Sequence, residues 1–352
     1  MKMNNTFSKI KVFLTRPRVV MILGNGKETA SLAISQVLQG SPHGKKILIY
    51  QADPLKMKEA EFLLKKAGSV ILVLTHAGEY HAEKEFFAAE KSGVAVMEKL
   101  VGILPKHGKL VLNFDDETIR DIKNQTSVSA LSFGFGARAD IQATDVFLTQ
   151  SPDLGANFKI NYEGNIVPVW LKNLFGKEHI YAALTAVAVG ELLGLNLVEI
   201  SDSLKSYQGL PGRMKLIEGV KNTLILDDSE SAMPLSMAEG LDILKKMTIA
   251  GRKIAVLGDI INIGPNTLEA HEAIGELVKV SADLFFTVGL RAKFYAEGAK
   301  KKGFPEDKIF SFNEVKEASA ALQKEMNEGD LILVDGSREL KMTKIVDEIR
   351  KI

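Results

Sequence analysis

The chain has 352 residues, 46% of them apolar and 25% charged, and its 45 basic and 44 acidic side chains leave a net charge of +1. This composition excludes a disordered chain, supports roughly two domains with cores of their own, and leaves no chain-wide field to attract nucleic acid or an anionic membrane. The absence of cysteine excludes disulfides, thiolate metal sites and a cysteine nucleophile, and a cytoplasmic protein is expected.

The opening stretch, MKMNNTFSKIKVFLTRPR, mixes basic and apolar residues in a run too short for a secretory core. It reads as a strap on the first domain or as a short amphipathic helix touching a membrane. No later segment supplies the roughly 20 apolar residues that span a bilayer, so no stable membrane insertion is expected. From Arg18 to Gln39 an apolar run stops at Gly24-Asn25-Gly26-Lys27 and passes into a helical pattern. This outlines a phosphate-binding strand, loop and helix, in which glycines admit backbone N–H groups to phosphate and the lysine reaches the terminal phosphates. An ordinary strand-to-helix turn has the same outline. Glu28 stands where such loops carry the hydroxyl that holds Mg²⁺, and Thr29 lies one residue late.

Further along, Lys46–Ala52 and Ser69–Thr75 read as buried strands, with a helix over Lys56–Lys66 between them. Continuous apolar strands alternating with helices predict a parallel sheet covered on both faces, with ligands beyond the carboxyl ends of its strands. Gln51, His76 and His81 fall there, although a lone histidine is as readily a surface or capped residue. A helical stretch from Glu83 through Leu104, a strand over Lys109–Phe114 and the acidic turn Asp115-Asp116-Glu117 follow. Between Val128 and Trp170 shorter strands with polar alternation predict a small antiparallel insert or edge sheet, with a hairpin through Glu163-Gly164-Asn165. Helices over His179–Leu193 and Val198–Lys205 precede Gly209-Leu210-Pro211-Gly212-Arg213, which breaks every periodic pattern and marks a domain boundary. The expected domains are therefore 1–213 and 214–352. Beyond the boundary, strands at Thr223–Leu226, Lys253–Leu257, Leu284–Val288, Lys308–Phe312 and Leu331–Val334 alternate with helices at Leu235–Lys246, Leu268–Val280, Ala292–Lys302, Val315–Met326 and Leu340–Arg350. The whole is an α/β chain: a phosphate-loop-type, mostly parallel sheet domain followed by a smaller Rossmann-like one.

Several of these residues, taken in order, resemble the Mur ligases, and within them the branch that adds D-alanyl-D-alanine to peptidoglycan precursors. Gly24–Lys27 is similar to that family's phosphate loop, Thr75–His81 to its Thr-Asn-x-Gly-x-x-His segment, and Asn113–Asp116 to its Asn-x-Asp-Asp. Glu178-His179 with Tyr181 and Leu184, then Pro211-Gly212-Arg213, continue the order. Ile225–Ser229, Ala255–Asp259 with Gly264 and His271, and Gly336-Ser337-Arg338 resemble the C-terminal domain. The resemblance implies activation of a substrate carboxylate by ATP as an acyl phosphate, attack by an amine, and release of ADP and phosphate, with Mg²⁺ as the companion of the phosphates. It implies catalytic roles for Lys27 and His81, with His81 also as the metal candidate. Gly24, Asn25, Gly26, Lys27, Thr29, Asp115, His179, Arg213, Asp227 and Asp228 would take the nucleotide, and Ser337 and Arg338 the substrate.

The departures point the other way. The family's phosphate loop has Gly at Leu23 and Thr at Glu28. Its metal-binding Glu falls on Gln51, its carbamoylated Lys near Met97 with Lys91 and Lys99 close by, and its adenine-contacting Asn on Ile180. Its Tyr-Asn-x-Asn run has become Glu230–Met233, and the Lys before Gly-Ser-Arg is Asp335. Only about twenty residues precede the loop, so a family N-terminal domain that holds a uridine nucleotide is not expected. The expected partners are a nucleotide and a carboxylate-bearing small molecule or peptide, with a separate substrate-binding protein left open and no nucleic acid. Two functions remain at this point: a divergent ADP-forming amide ligase, and a catalytically inactive binding or regulatory scaffold.

Overall fold

The computed structural model describes residues 14–39, 46–77, 91–124, 126–149, 154–261, 263 and 267–351. The opening strap through residue 13, His81 and the stretch 83–90 of the expected helix lie outside these.

The first sheet has eight strands in the order β2-β1-β3-β4-β5-β6-β7-β8. Strands β1 (Arg18–Leu23), β2 (Ile47–Gln51), β3 (Ser69–Leu74), β4 (Lys109–Asn113) and β5 (Ala130–Gly134) run parallel, and β6 (Ile141–Thr149) joins parallel to β5. Strands β7 (Gly155–Tyr162) and β8 (Asn165–Lys172) then continue the same sheet antiparallel. The expected antiparallel insert is therefore an extension of the main sheet. Its hairpin turns at Glu163 and Gly164, with φ of 47° and 80° as a two-residue turn of this hand requires.

Alternation along β1 shows why apolar runs form the centre. Val20 and Ile22 pack on one face against Ala30, Ile34 and Val37 of α1 (Lys27–Gln39) and against α5 (Lys177–Leu192) and α6 (Leu197–Leu204). Val19, Met21 and Leu23 face α2 (Met57–Lys66), α3 (Lys91–Gly102) and α4 (Glu117–Asn124) on the other. Helix α5 is buried from His179 to Gly190 except at Tyr181, wedged between α1 and the sheet, which explains its nearly unbroken apolar sequence.

The second sheet has six strands in the order β13-β12-β11-β14-β10-β9. Its parallel members are β10 (Leu224–Asp228), β11 (Lys253–Gly258), β12 (Leu284–Val288), β13 (Ile309–Phe312) and β14 (Leu331–Asp335). Helices α7 (Pro234–Lys246), α8 (Thr267–Val278) and α9 (Lys293–Lys301) cover one face, while α10 (Val315–Glu325) and α11 (Thr343–Ile349) cover the other. The four-residue edge strand β9 (Lys215–Glu218), antiparallel to β10, was not expected from the sequence. It is too short for its alternation to register. Two α/β units with mostly parallel sheets are thus present, and the carboxyl ends of their strands share one cleft.

Candidate functional site

A cavity of about 940 Å³ opens between the two sheets. From the first unit it is lined by Gly24–Glu28, Thr75, His76, Asn113, Asp115, Lys177, Glu178 and Tyr181; from the hinge and the second unit come Arg213, Glu230–Met233, Glu239, Ser337 and Arg338.

The loop after β1 is built by close backbone approach. Gly24 has φ of 115°, and a Cβ there would lie 2.5 Å from Thr75 Oγ1 and 2.6 Å from the His76 carbonyl oxygen. Asn25 N–H donates to that carbonyl at 2.8 Å, and the Thr75 hydroxyl donates back to Leu23 O at 3.1 Å. The loop is thereby pinned to the end of β3, at the head of the 13-residue helix α1. An N-terminus in this position offers unpaired N–H groups and positive potential. Lys27 reaches into the cavity with its Nζ 3.8 Å from Glu28 Oε1.

Asp115 accepts from Phe135 N–H at 2.7 Å, Gly136 N–H at 2.9 Å and the Tyr181 hydroxyl at 2.9 Å, so its carboxylate fixes the loop after β5 while one edge faces the cavity. Burial, then Asp115, raises the Tyr181 phenol, which stays neutral as a donor. Asn113 accepts from Asp115 N–H at 3.0 Å through Oδ1. His76 Nδ1 lies 2.8 Å from Asp116 Oδ2. Burial opposes ionisation of Asp116, but the His76 contact and the Ala77 and Ile119 N–H groups outweigh it and hold the carboxyl below its ordinary range.

Several expected site residues lie behind the wall of the cavity. The Thr29 side chain is fully buried and its hydroxyl donates to Glu178 Oε1. His179, also fully buried, has Nε2 2.6 Å from Arg213 O and Nδ1 3.3 Å from the Tyr207 hydroxyl. A carbonyl only accepts, so Nε2 carries the proton, and burial lowers this imidazole so that it remains neutral. Asp227 takes Gly212 N–H at 2.9 Å and the Ser229 hydroxyl at 2.6 Å, and Asp228 takes Met214 N–H at 3.1 Å. None of these four lines the cavity, and His179, Asp227 and Asp228 bond the backbone of residues 212–214, the segment that joins the two units. Ser337 Oγ accepts Ile261 N–H at 3.0 Å, and Arg338 Nε pairs with Glu230 at 2.6 Å.

Glu28, Gln51 and Met97, the departures at the family's loop, metal-binding Glu and carbamoylated Lys positions, do not share one site. Glu28 lines the cavity, but Gln51 is exposed at the end of the edge strand β2, and Met97 is 2% exposed within the apolar core beneath the sheet. Lys99 is paired with Glu61 at 2.7 Å, away from the cavity. Ile180 is core as well.

Two residues to which the sequence assigned no site role define the junction. Glu178 joins Thr29 to Arg213, whose Nη1 lies 3.4 Å from Glu178 Oε2. Glu239, from α7, accepts Lys177 N–H at 2.9 Å, and so caps helix α5 of the other unit where the preceding Gly176 cannot. An acidic residue in the first turn of a helix was a signal for Glu178. Nothing local marks Glu239, because its partner is 62 positions away.

Among the described residues, no group of three or more His, Asp or Glu side chains is placed to hold a metal. A Mg²⁺ ion bound mainly through phosphates needs only one or two carboxylates, and Glu28 beside the loop fits that role. None of the helices among the described residues is long and apolar enough to cross a membrane.

The family profile for the Mur ligase middle domain matches residues 25–190, and the profile for the Mur ligase glutamate ligase domain matches residues 212–338. The UDP-N-acetylmuramoyl-tripeptide–D-alanyl-D-alanine ligase of Bacillus subtilis is 26% identical over 309 residues, covering 88% of this chain and 65% of that protein. Its Escherichia coli counterpart is 28% identical over 254 residues, 70% of this chain and 53% of that one. The chain thus spans less than two thirds of the length of either relative. The crystal structure of MurF from Acinetobacter baumannii superposes with a TM-score of 0.76 at 20% identity, covering 97% of this chain and 78% of that one. MurF from Thermotoga maritima in complex with ADP gives 0.74 at 17% identity, covering 99% and 86%. With two consecutive family domains in order and the same two-sheet architecture, the chain belongs to the Mur ligase family.

Proposed function

We propose that this protein is an ATP-dependent, ADP-forming acid–amine ligase related to peptidoglycan precursor synthesis, with its phosphates held over Gly24–Lys27. The observation that carries this reading is the placement of that loop and Lys27 across a single cleft from Arg213, Ser337 and Arg338. In the proposed reaction the γ-phosphoryl group passes to a substrate carboxylate, ADP leaves, the amine attacks the acyl carbon, and phosphate departs as the amide forms. Lys27 and the loop N–H groups would balance charge on the transferring phosphoryl group, and Arg213 would approach it from the hinge. Tyr181, held neutral against Asp115, offers no proton to the reaction; it orients the carboxylate beside the site. When bound, Mg²⁺ would neutralise phosphate charge, with Glu28 as its protein donor.

A second reading, a non-catalytic binding scaffold, is favoured by a different observation. Three of the cations facing the cavity are opposed by carboxylates of the chain itself: Lys27 by Glu28, Arg213 by Glu178 and Arg338 by Glu230. The two readings separate in one experiment. ATP should raise the melting temperature of the parent and not of Lys27→Ala, and ADP release should require both a carboxylate and an amine substrate. ATP binding without ADP release under any substrate pair supports the scaffold. Equal stabilisation of parent and Lys27→Ala removes the phosphate loop from both.

A further inference from the structure

We infer that Glu178 is a charge latch, which ties the segment at Arg213 to the helix after the Gly24–Lys27 loop and yields Arg213 to an incoming phosphate. The inference rests on the nucleotide reading for its ligand, but not for the latch itself.

The hinge peptide is clasped from both sides. On one side, consecutive residues of α5 hold Arg213: Glu178 takes its guanidinium at 3.4 Å and His179 its carbonyl at 2.6 Å. On the other, Asp227 and Asp228 take the N–H groups of the flanking Gly212 and Met214 at 2.9 and 3.1 Å. Of these four clasping side chains only Glu178 also lines the cavity. Its second oxygen accepts the hydroxyl of Thr29, two residues into α1, so one carboxylate bridges the phosphate-loop helix and the hinge.

This placement sets up a competition. The Arg213 side chain is 15% exposed and lines the same cavity as Gly24–Lys27, over which phosphate oxygens would sit. Phosphate and Glu178 are both anions: each attracts the guanidinium, and the two repel each other. A phosphate that takes the guanidinium edge now facing Glu178 must displace that carboxylate. The bond from Thr29 keeps the displaced carboxylate at the head of α1, while the hinge loses one of its two ties to α5. Occupancy of the phosphate site is thereby transmitted to the segment on which the second unit pivots. A carboxylate present only to cap α5 would produce no such competition.

The test uses the full chain, with ATP as the probe. Glu178→Gln retains an oxygen to accept from Thr29 and removes the charge facing Arg213. Calorimetric titration should show ATP binding tightened about fivefold, the factor that corresponds to ~1 kcal/mol. Trypsin, in the absence of ATP, should cut after Arg213 faster than in the parent. Glu178→Asp keeps the charge in the cleft but shortens the reach to Arg213, so cleavage should accelerate without the full gain in affinity. Unchanged or weaker ATP binding by Glu178→Gln overturns the competition. If ATP binds neither protein, the nucleotide reading fails by itself and cleavage decides the latch: faster in both variants upholds it, and rates equal to the parent overturn it.

Discussion

Replacing Gly24 by alanine tests whether the phosphate loop depends on its close approach to the neighbouring strand. Two costs arise together. The φ of 115° is one that L side chains rarely adopt, which costs about 1–3 kcal/mol. The new Cβ would also lie 2.5 Å from Thr75 Oγ1, 2.6 Å from His76 O and 2.8 Å from His76 N, two of them backbone atoms that cannot rotate away. Such overpacking costs about another 1–3 kcal/mol. Gly26 supplies the internal control: its φ is 77°, but the nearest atom to an added Cβ is Glu178 Cγ at 3.9 Å. Gly26→Ala should therefore cost only the strain, about 1–2 kcal/mol. Urea unfolding followed by circular dichroism, read on the first transition because the chain has two units, should rank Gly24→Ala well below Gly26→Ala. ATP affinity should fall in the first variant as the loop is pushed off Thr75. If the two variants lose equal stability, the contact with β3 is not what shapes the loop.

Three further outcomes follow from residues elsewhere. Met97→Lys, the change that would restore the family lysine by ungapped alignment, puts an ammonium into a core position 2% exposed; it should lower the first unfolding transition by about 3 kcal/mol or more and leave ADP release no higher than in the parent. Asp335 is fully buried with neither carboxylate oxygen bonded, and burial, then Asp228 and Asp227, raises it well above the ordinary carboxyl value. Its folded-state stability is thus present below the unfolded value near 3.9 and is lost as pH rises toward the raised folded value. Asp335→Asn should flatten that decline, so that its stability advantage over the parent grows between pH 5 and pH 8; an advantage independent of pH would show that the carboxyl does not titrate as the burial implies. Limited proteolysis of the parent should cut first between Gly209 and Lys215, and an earlier cut inside β6 to β8 would place the weak point elsewhere.

The fold was legible because its strands are buried on both faces and so carry unbroken apolar runs, as in Val19–Leu23 and Val70–Leu74. The strand, loop and helix around Gly24–Lys27 were legible for a related reason: an apolar run stops at two glycines and passes into a helical pattern. What the sequence concealed was which side of a wall each residue occupies. Met97 and Gln51 fall on family positions by counting, yet the first faces the core beneath the sheet and the second stands at its edge. His179, Asp227 and Asp228 fit a nucleotide-contacting pattern, yet their polar atoms are spent on the hinge backbone. Spacing along a strand or helix fixes the face a residue shares with its neighbours, but not the partner that reaches it from 34 positions away, as Arg213 reaches His179.

The cleft's own charge pairing was hidden for the same reason. Nothing local pairs Glu178, Glu230 and Glu239 with their partners, and only the folded chain sets them against Arg213, Arg338 and the head of α5. That pairing changes what the departures from the family mean. Electrostatic preorganisation requires cations that are available when phosphate arrives, and here one donor of Arg213 faces Glu178 at 3.4 Å. On the proposed reading, turnover would depend less on the altered positions counted along the sequence than on how readily this pair opens. A cleft whose latch opens on phosphate binding is a gated ligase; one whose latch holds against phosphate is a scaffold with a ligase fold.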